Sequence, residues 1–308
     1  MRDSANAAWY FVGVLETEVV QGRRIGRLEI AEIQALLAGN PRWSRWRLSR
    51  VLAQSWQWYA ASGQLKDMAA RTLLLTLHER GLIALPPRRR APATRGLDAG
   101  PDLFDSLPPE PVVASLSELR PLRLEVVGPK QSDYRLFQRY LARHHYLSYR
   151  GPVGENLAYV IRSGTGVDLA CVLFGAAAWQ CAPRDRWIGW SAAQRAQGLS
   201  SIANNSRFLI LPWVRVAHLA SHILAQIAQR IAADWHSRYH HPLYLLETFV
   251  EQDRFRGACY QAANWVHVGQ TTGRTRQSRR HRDHAVHAPV KDVYLYSLRP
   301  DGCQQLCR

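Results

Sequence analysis

The hydrophobic pattern changes period several times along the second half of the chain. Phe208-Leu-Ile-Leu211 is a continuous apolar run that stops at Pro212, a residue that removes a backbone donor and ends a strand. From Ala217 the spacing becomes helical: Leu219, Ile223, Ile227 and Ile231 recur every four residues, with Leu224 and Ala228 beside them. Leu243 to Val250 then reads as a nearly continuous strand of the kind buried between helices. Phe255 to Ala263 gives a short helix, and Trp265 to Val268 a further strand closed by Gly269. The polar residues of Asn204–Gly269 gather where these elements meet. At the start of the Ala217 helix, unpaired N–H groups and the helix dipole predict a cradle for a phosphate or other anion.

The flanking stretches extend this alternation. Leu122 to Val127 alternates as a strand, and Ser132 to about His145 follows as a helix with Tyr134, Phe137, Tyr140 and Leu141 on one side. Leu157–Ile161 and Leu169–Phe174 form two strands joined by the turn signal Ser163-Gly-Thr-Gly166. Trp179 to Trp190 reads as an aromatic, arginine-bearing loop, and Val293 to Leu298 as the last strand. The order β, α, β, β, β, α, β, α, β, β predicts an α/β domain, a mixed sheet flanked by helices, over residues 119–308.

The N-terminal part is helical instead. Residues 1–21 carry Trp9, Tyr10 and Phe11 without a period and are expected to be an arm. Leu28, Ile30, Ile33, Leu36 and Leu37 have helical spacing that ends at Gly39-Asn40-Pro41. Ser44 can cap a second helix containing Leu48, Val51 and Leu52, and Trp43 and Trp46 beside it read as core rather than as stacking platforms. A third helix runs from about Leu65 to Arg80, Gly81 ends it, and Leu82 to Leu85 is expected to start a wing strand. Residues 22–86 therefore predict a winged helix-turn-helix-like unit that presents its third helix to a DNA groove. Lys66, Arg71, His78 and Arg80 are then the candidate contacts; a helical docking domain with solvated charges is the other reading. Residues 87–118, rich in proline and arginine, read as a linker.

Charge narrows the choice of partner. The chain has 308 residues, a formal net charge of +16, and only three lysines among its 40 basic residues. Arginine presents a planar fork that matches phosphate and guanine, so a polyanion is the expected partner. Codon bias with a solvated basic surface is the bland alternative. Five cysteines without a C-x-x-C pair predict reduced thiols in a cytoplasmic protein, and no apolar run approaches a membrane span.

Several residues can carry chemistry. His144-His145-Tyr146 falls where a helix ends, and a histidine beside a tyrosine can move a proton; packing under the sheet is the plainer account. Arg207 lies among apolar strand residues, where an unpaired cation is costly, so it needs an anion or a cleft. Glu247 is the expected intramolecular partner. Glu251, Asp253, Arg254 and Tyr260 cluster after the Leu243 strand. Asn264 and Trp265 can hydrogen-bond and stack on a nucleobase, or can be a satisfied polar residue beside a core tryptophan. Arg274, Arg276, Arg279, Arg280 and Arg282 lie in a polar tract that reads as a flexible, phosphate-contacting loop. His281, His284 and His287 in that tract lack the carboxylate or cysteine support of a metal site.

The stretches NNSRFLILPWVRV from Asn204, LLETFVEQDRFRGACYQAANW from Leu245 and VGQTTGR from Val268 resemble the DruA family of the Druantia anti-phage system, whose members also occur beside or within transposon genes. The resemblance runs from about Arg27 to the C-terminus. It implies a DNA-binding protein of defence or transposition, with helicase-like or transposase partners. The same block is more remotely similar to the phage Mu Mom protein, a DNA adenine modifier of the GNAT acyltransferase superfamily. That likeness implies a GNAT-like fold, an acyl-CoA donor and a transferase acting on a DNA base. It places Arg215, His218 and Ala220 on the superfamily's pyrophosphate loop, with His218 where that loop has glycine. It makes His145 and Tyr146 the counterpart of a His-Tyr pair, and Tyr260 the acid for a leaving thiolate. Glu251 stands where both families tend to have aspartate.

Overall fold

The structure is a computed structural model that describes residues 18–20, 23–61, 63–87, 110–149, 151–273 and 289–308. Its backbone separates into two units, residues 1–94 and 95–308. Arg274, Arg279, Arg280 and Arg282 lie outside the described residues, as do Arg276, the three histidines of that tract, and Trp9 to Phe11.

In the first unit a two-stranded antiparallel ribbon, β1 (Glu18–Val20) and β2 (Arg23–Ile25), precedes three helices. These are α1 (Arg27–Gly39), α2 (Arg45–Ser55) and α3 (Asp67–Glu79). Ile33, Leu48, Leu52, Leu73, Leu74 and Leu77 are the buried residues around which they pack. The ribbon begins inside the expected arm. Leu82–Leu85 forms no strand, contrary to the expected wing. Its backbone is occupied otherwise: Leu82 N donates to Leu77 O, Gln34 Nε2 donates to Leu82 O, and His78 Nδ1 meets Ile83 O. With those groups satisfied and Ile83 buried, the segment folds back on α3 rather than seeking a strand partner. Trp58 to Lys66 makes a small turn with a single bridge between Tyr59 and Leu65, so α2 and α3 are farther apart in sequence than a tight helix-turn-helix requires.

The second unit is the expected mixed α/β arrangement. Short elements lead in, β3 (Val112–Val113) and α4 (Leu116–Leu119), before β4 (Arg123–Val127), α5 (Ser132–His144), β5 (Asn156–Arg162) and β6 (Asp168–Ala176). The aromatic stretch expected as a loop contains a helix, α6 (Ala182–Ile188), with proline in its first turn, followed by α7 (Ala192–Gly198). Then come β7 (Ile202–Ile210), β8 (Val214–Arg215), α8 (Leu219–Tyr239), β9 (Leu245–Glu251), α9 (Ala258–Ala262), β10 (Val266–Gln270), β11 (Lys291–Ser297) and α10 (Gly302–Leu306). β3 pairs with β8.

Seven strands form one sheet in the order β10-β11-β9-β7-β6-β5-β4. All neighbours are antiparallel except β7 and β9, which run parallel from Ile202↔Leu245 to Asn205↔Thr248. Past that last pair, β7 continues beside β6 alone and β9 beside β11 alone, so the sheet opens between them. β7 also carries a bulge: Asn205 pairs with Phe174 and Arg207 with Leu173, leaving Ser206 extra. α8 buries Leu219, Ile223, Leu224, Ile227 and Ile231, the stripe that its spacing predicts. No helix among the described residues is long and apolar enough to cross a membrane.

Candidate functional site

A cleft of about 690 Å³ occupies the opening between β7 and β9. Its walls come from Asn204–Ile210 on β7, Thr248–Val250 on β9, His144–Leu147 at the end of α5, Phe255–Tyr260 at the start of α9, Ala220 on α8 and Lys291 on β11. Arg207, Arg256 and Lys291 contribute to those walls, and no carboxylate is among the described residues that line them.

Arg207 is half-buried and its guanidinium is held by carbonyl oxygens, Nε donating to Ser148 O at 3.0 Å and Nη1 to Ser206 O at 2.7 Å. Burial pushes its pKa down, and the phenols of Tyr146 and Tyr149 offset part of that. It makes no ion pair among the described residues. The expected partner, Glu247, is bound elsewhere: its carboxylate accepts from Arg184 Nη1 at 2.8 Å and from Ala178 N at 2.6 Å. The pairing of Arg207 with Glu247 is therefore corrected, and Arg207 keeps its charge for the cleft.

His145 is buried beside it. Leu147 N donates to Nδ1 at 3.1 Å, so the neutral ring carries its proton on Nε2. Burial, with help from the Arg207 charge, lowers its pKa to about 4. At neutral pH His145 is an uncharged hydrogen-bond donor rather than the proton acceptor that its sequence setting suggests. Its ring stacks on Tyr146 at 4.9 Å, Tyr146 touches Phe255 at 5.3 Å, and the Arg254 guanidinium lies 5.1 Å over Tyr146. Glu251 is bound to that arginine, Arg254 Nε donating at 3.1 Å, and is not part of the wall.

Opposite, Tyr260 is 7% exposed and donates from Oη to Asn205 Oδ1 at 2.6 Å. The Asn205 amide is oriented by Nδ2 donating to the carbonyls of Leu173 and Arg207, both at 3.2 Å. Burial pushes the Tyr260 phenol well up, so it stays protonated. The turn before α9 depends on Gly257, whose φ is +67° and where an added Cβ would lie 2.5 Å from Tyr294 Oη. Asn205, Thr248, Gly257 and Lys291 were not singled out from the sequence; the paired polar residues Asn204-Asn205 opening an apolar strand were the available signal.

The remaining candidates are placed apart. His218 caps α8 with φ 62°, the left-handed conformation a glycine would take, but His218 and Arg215 are exposed and neither lines the cleft; Ala220 does. The leading end of α8 is open rather than covered, as Ala217 and His218 are both exposed. Trp265 is 4% exposed and packs on Tyr260 at 5.1 Å and Tyr296 at 5.8 Å, which makes it core and leaves no face for a base. Asn264 is exposed at a left-handed turn, with φ 63°, outside the walls. In the other unit Lys66 is exposed at the N-cap of α3, and Arg71 faces Asp67 at 3.9 Å.

Comparison with known proteins adds a family. No curated protein matches the chain. Among solved structures it is similar to spermidine N-acetyltransferase from Vibrio cholerae in complex with CoA and spermine, at 10% identity over 57% of this chain and 95% of that one, with TM-score 0.36. A dodecameric structure of spermidine N-acetyltransferase from the same organism, in an intermediate state, matches at 11% identity over 57% and 94%, with TM-score 0.37. A family model described as Druantia protein DruA matches residues 106–282, a narrower span than the motifs suggest. That span is more than half of the 308 residues and includes β7, β9, α9 and nearly all of the cleft wall, so the chain belongs to the DruA family.

Proposed function

We propose that the chain is a nucleic-acid-binding protein acting in anti-phage defence or transposition, whose GNAT-like domain takes a phosphate-bearing part of a strand into the β7/β9 cleft. The observation that carries this reading is the cleft wall itself: three cationic side chains, a neutral imidazole N–H, and no acid among the described residues. An arginine held half-buried without a carboxylate is stabilised by an anionic ligand. The described residues on either side of the arginine-rich tract meet, Thr271 N donating to Lys291 O at 2.9 Å, and Lys291 belongs to that wall. In this reading Arg274, Arg279, Arg280 and Arg282 supply nonspecific phosphate contacts, and Lys66 and Arg71 of the three-helix unit add to them. The test is binding of labelled oligonucleotides across a salt series, because displaced counterions make such affinity fall steeply with salt. A flat salt response would remove the proposal.

A second reading is favoured by Tyr260. A protonated phenol inside a cleft of cofactor size can deliver a proton to a leaving group, as a base-modifying transferase with an acyl donor requires. Mass analysis of nucleosides from DNA incubated with the protein and cell extract separates the two. An unmodified base pool counts against the transferase.

A further inference from the structure

Charge on α2 is placed where helix electrostatics opposes it. Ser44 caps the helix by accepting from Arg47 N at 3.2 Å, and the first turn contains Arg45 and Arg47 with no acid. Arg50 follows one turn later, so α2 carries three arginines and no carboxylate. Cations at the positive end of a helix dipole are unfavourable unless an anion joins them. α3 shows the contrast: Asp67 and Glu79 lie on the same helix as Arg71, and Arg71 faces Asp67 at 3.9 Å.

The arginines of α2 are also organised. Arg47 lies 4.9 Å over the Trp43 ring and Arg50 lies 5.1 Å over the Trp46 ring, the same i,i+4 stack repeated three residues on. Trp46, expected in the core, is 55% exposed, and Arg47 and Arg50 are exposed beside it. Neither of these two arginines makes an ion pair among the described residues. A guanidinium resting on an indole keeps its N–H edge turned outward, set for phosphate oxygens. An exposed indole next to it adds what a duplex cannot use, a flat surface for an unstacked base.

We infer that the outer face of α2, Trp46 with Arg47 and Arg50, is a binding surface for single-stranded nucleic acid. It extends the nucleic-acid reading to the three-helix unit, whose main contact it moves from α3 to α2. The arginines take successive phosphates and Trp46 stacks on a base between them.

The test uses the full chain with a fluorescent oligothymidylate, an oligouridylate and a duplex of equal length, each titrated over a range of salt. Arg47→Gln with Arg50→Gln should weaken oligothymidylate binding about tenfold or more and reduce the log–log salt slope by about 1.4, two single-strand phosphate contacts' worth. Trp46→Ala should weaken it about tenfold while leaving duplex affinity unchanged, and Trp46→Phe should keep most of the affinity because the aromatic face is retained. Equal losses on both single strands assign the surface to either nucleic acid, and a loss on one alone assigns it to that one. Arg207→Gln, measured in parallel, reads the cleft and should leave the Trp46 effect in place, so failure at either surface is seen separately. Wild-type affinity for oligothymidylate and oligouridylate in all α2 variants overturns the inference, as does an equal Trp46→Ala loss on duplex. Binding to anionic phosphatidylserine vesicles with none to either single strand overturns it as well.

Discussion

The Arg184 guanidinium and the Glu247 carboxylate meet at 2.8 Å with neither side chain accessible to solvent. Arg184 also donates to Ala178 O at 2.7 Å and to Asp185 Oδ1, and Ala178 N donates to the other Glu247 oxygen. The pair therefore ties α6 and the chain leaving β6 to the middle of β9. It also determines what Arg207 does. With Glu247 committed to Arg184, the cation on the neighbouring strand has no internal counter-ion among the described residues and faces the cleft.

Breaking the pair from one side should be costly. Arg184→Leu leaves the buried Glu247 carboxylate without its cation and is expected to destabilise by about 3–5 kcal/mol, whereas Glu247→Leu leaves Arg184 still paired with Asp185 at 2.8 Å and should cost less. The double replacement should cost less than the sum, because the buried Glu247 carboxylate is removed with its cation and Asp185 keeps Arg195 at 3.2 Å. Urea unfolding of the four proteins checks this. Additive losses would mean that the two groups do not stabilise each other.

Arg207→Gln should behave differently. Its partners are the carbonyls of Ser148 and Ser206, so no buried acid is exposed by the change and the stability cost is about 1 kcal/mol. Affinity for nucleic acid should fall about tenfold, the size of one hydrogen bond between charged groups. A large loss of stability with unchanged affinity would make Arg207 a structural residue.

These contrasts mark what could be read from the chain alone. The α8 stripe was legible because Leu219 to Ile231 repeats over several turns, the end of β7 because its apolar run stops at Pro212, and β9 because Leu243 to Val250 is almost continuously apolar; the first half of β7 was not, since Asn204 to Arg207 is polar. The Arg184–Glu247 pair was not, since it joins residues 63 apart in sequence and Arg184 sits in a seven-residue helix too short to show a period. The orientation of the cleft residues depends on the extra residue Ser206 in β7, which no alternation reveals. Trp46 reads as core because an apolar residue on a helix is ordinarily buried, and its exposure breaks that pattern. The wing failed for a local reason: His78 and Gln34 bind the backbone that a strand would have used.

Acidification should weaken the folded state through His145. Its folded pKa, about 4, lies below the ordinary 6.5, because burial and then the Arg207 charge disfavour the imidazolium. The unfolded chain thus takes up this proton first. The contribution is complete above about pH 6.5 and is lost as pH falls toward about 4. Urea midpoints at pH 7 and pH 5 should differ for the wild type, and the difference should shrink in His145→Asn, whose carbonyl can still accept from Leu147 N. An equal pH response in both proteins would place the titration elsewhere.

Gly257 provides the most local check on the cleft. Its φ of +67° costs any other residue about 1–2 kcal/mol. An alanine Cβ would in addition stand 2.5 Å from Tyr294 Oη and 2.7 Å from the ring carbon that bears it. Because Gly257 starts the turn into α9, relieving that contact means moving the helix that carries Tyr260 and its hydrogen bond to Asn205. Gly257→Ala should therefore lower the unfolding midpoint by more than the backbone cost alone. Adding Tyr294→Phe should recover only a little, since the ring carbons stay in place. Full recovery in that double variant would reduce the contact to the hydroxyl, and an unchanged midpoint in Gly257→Ala would show that this turn does not hold Tyr260 in the cleft.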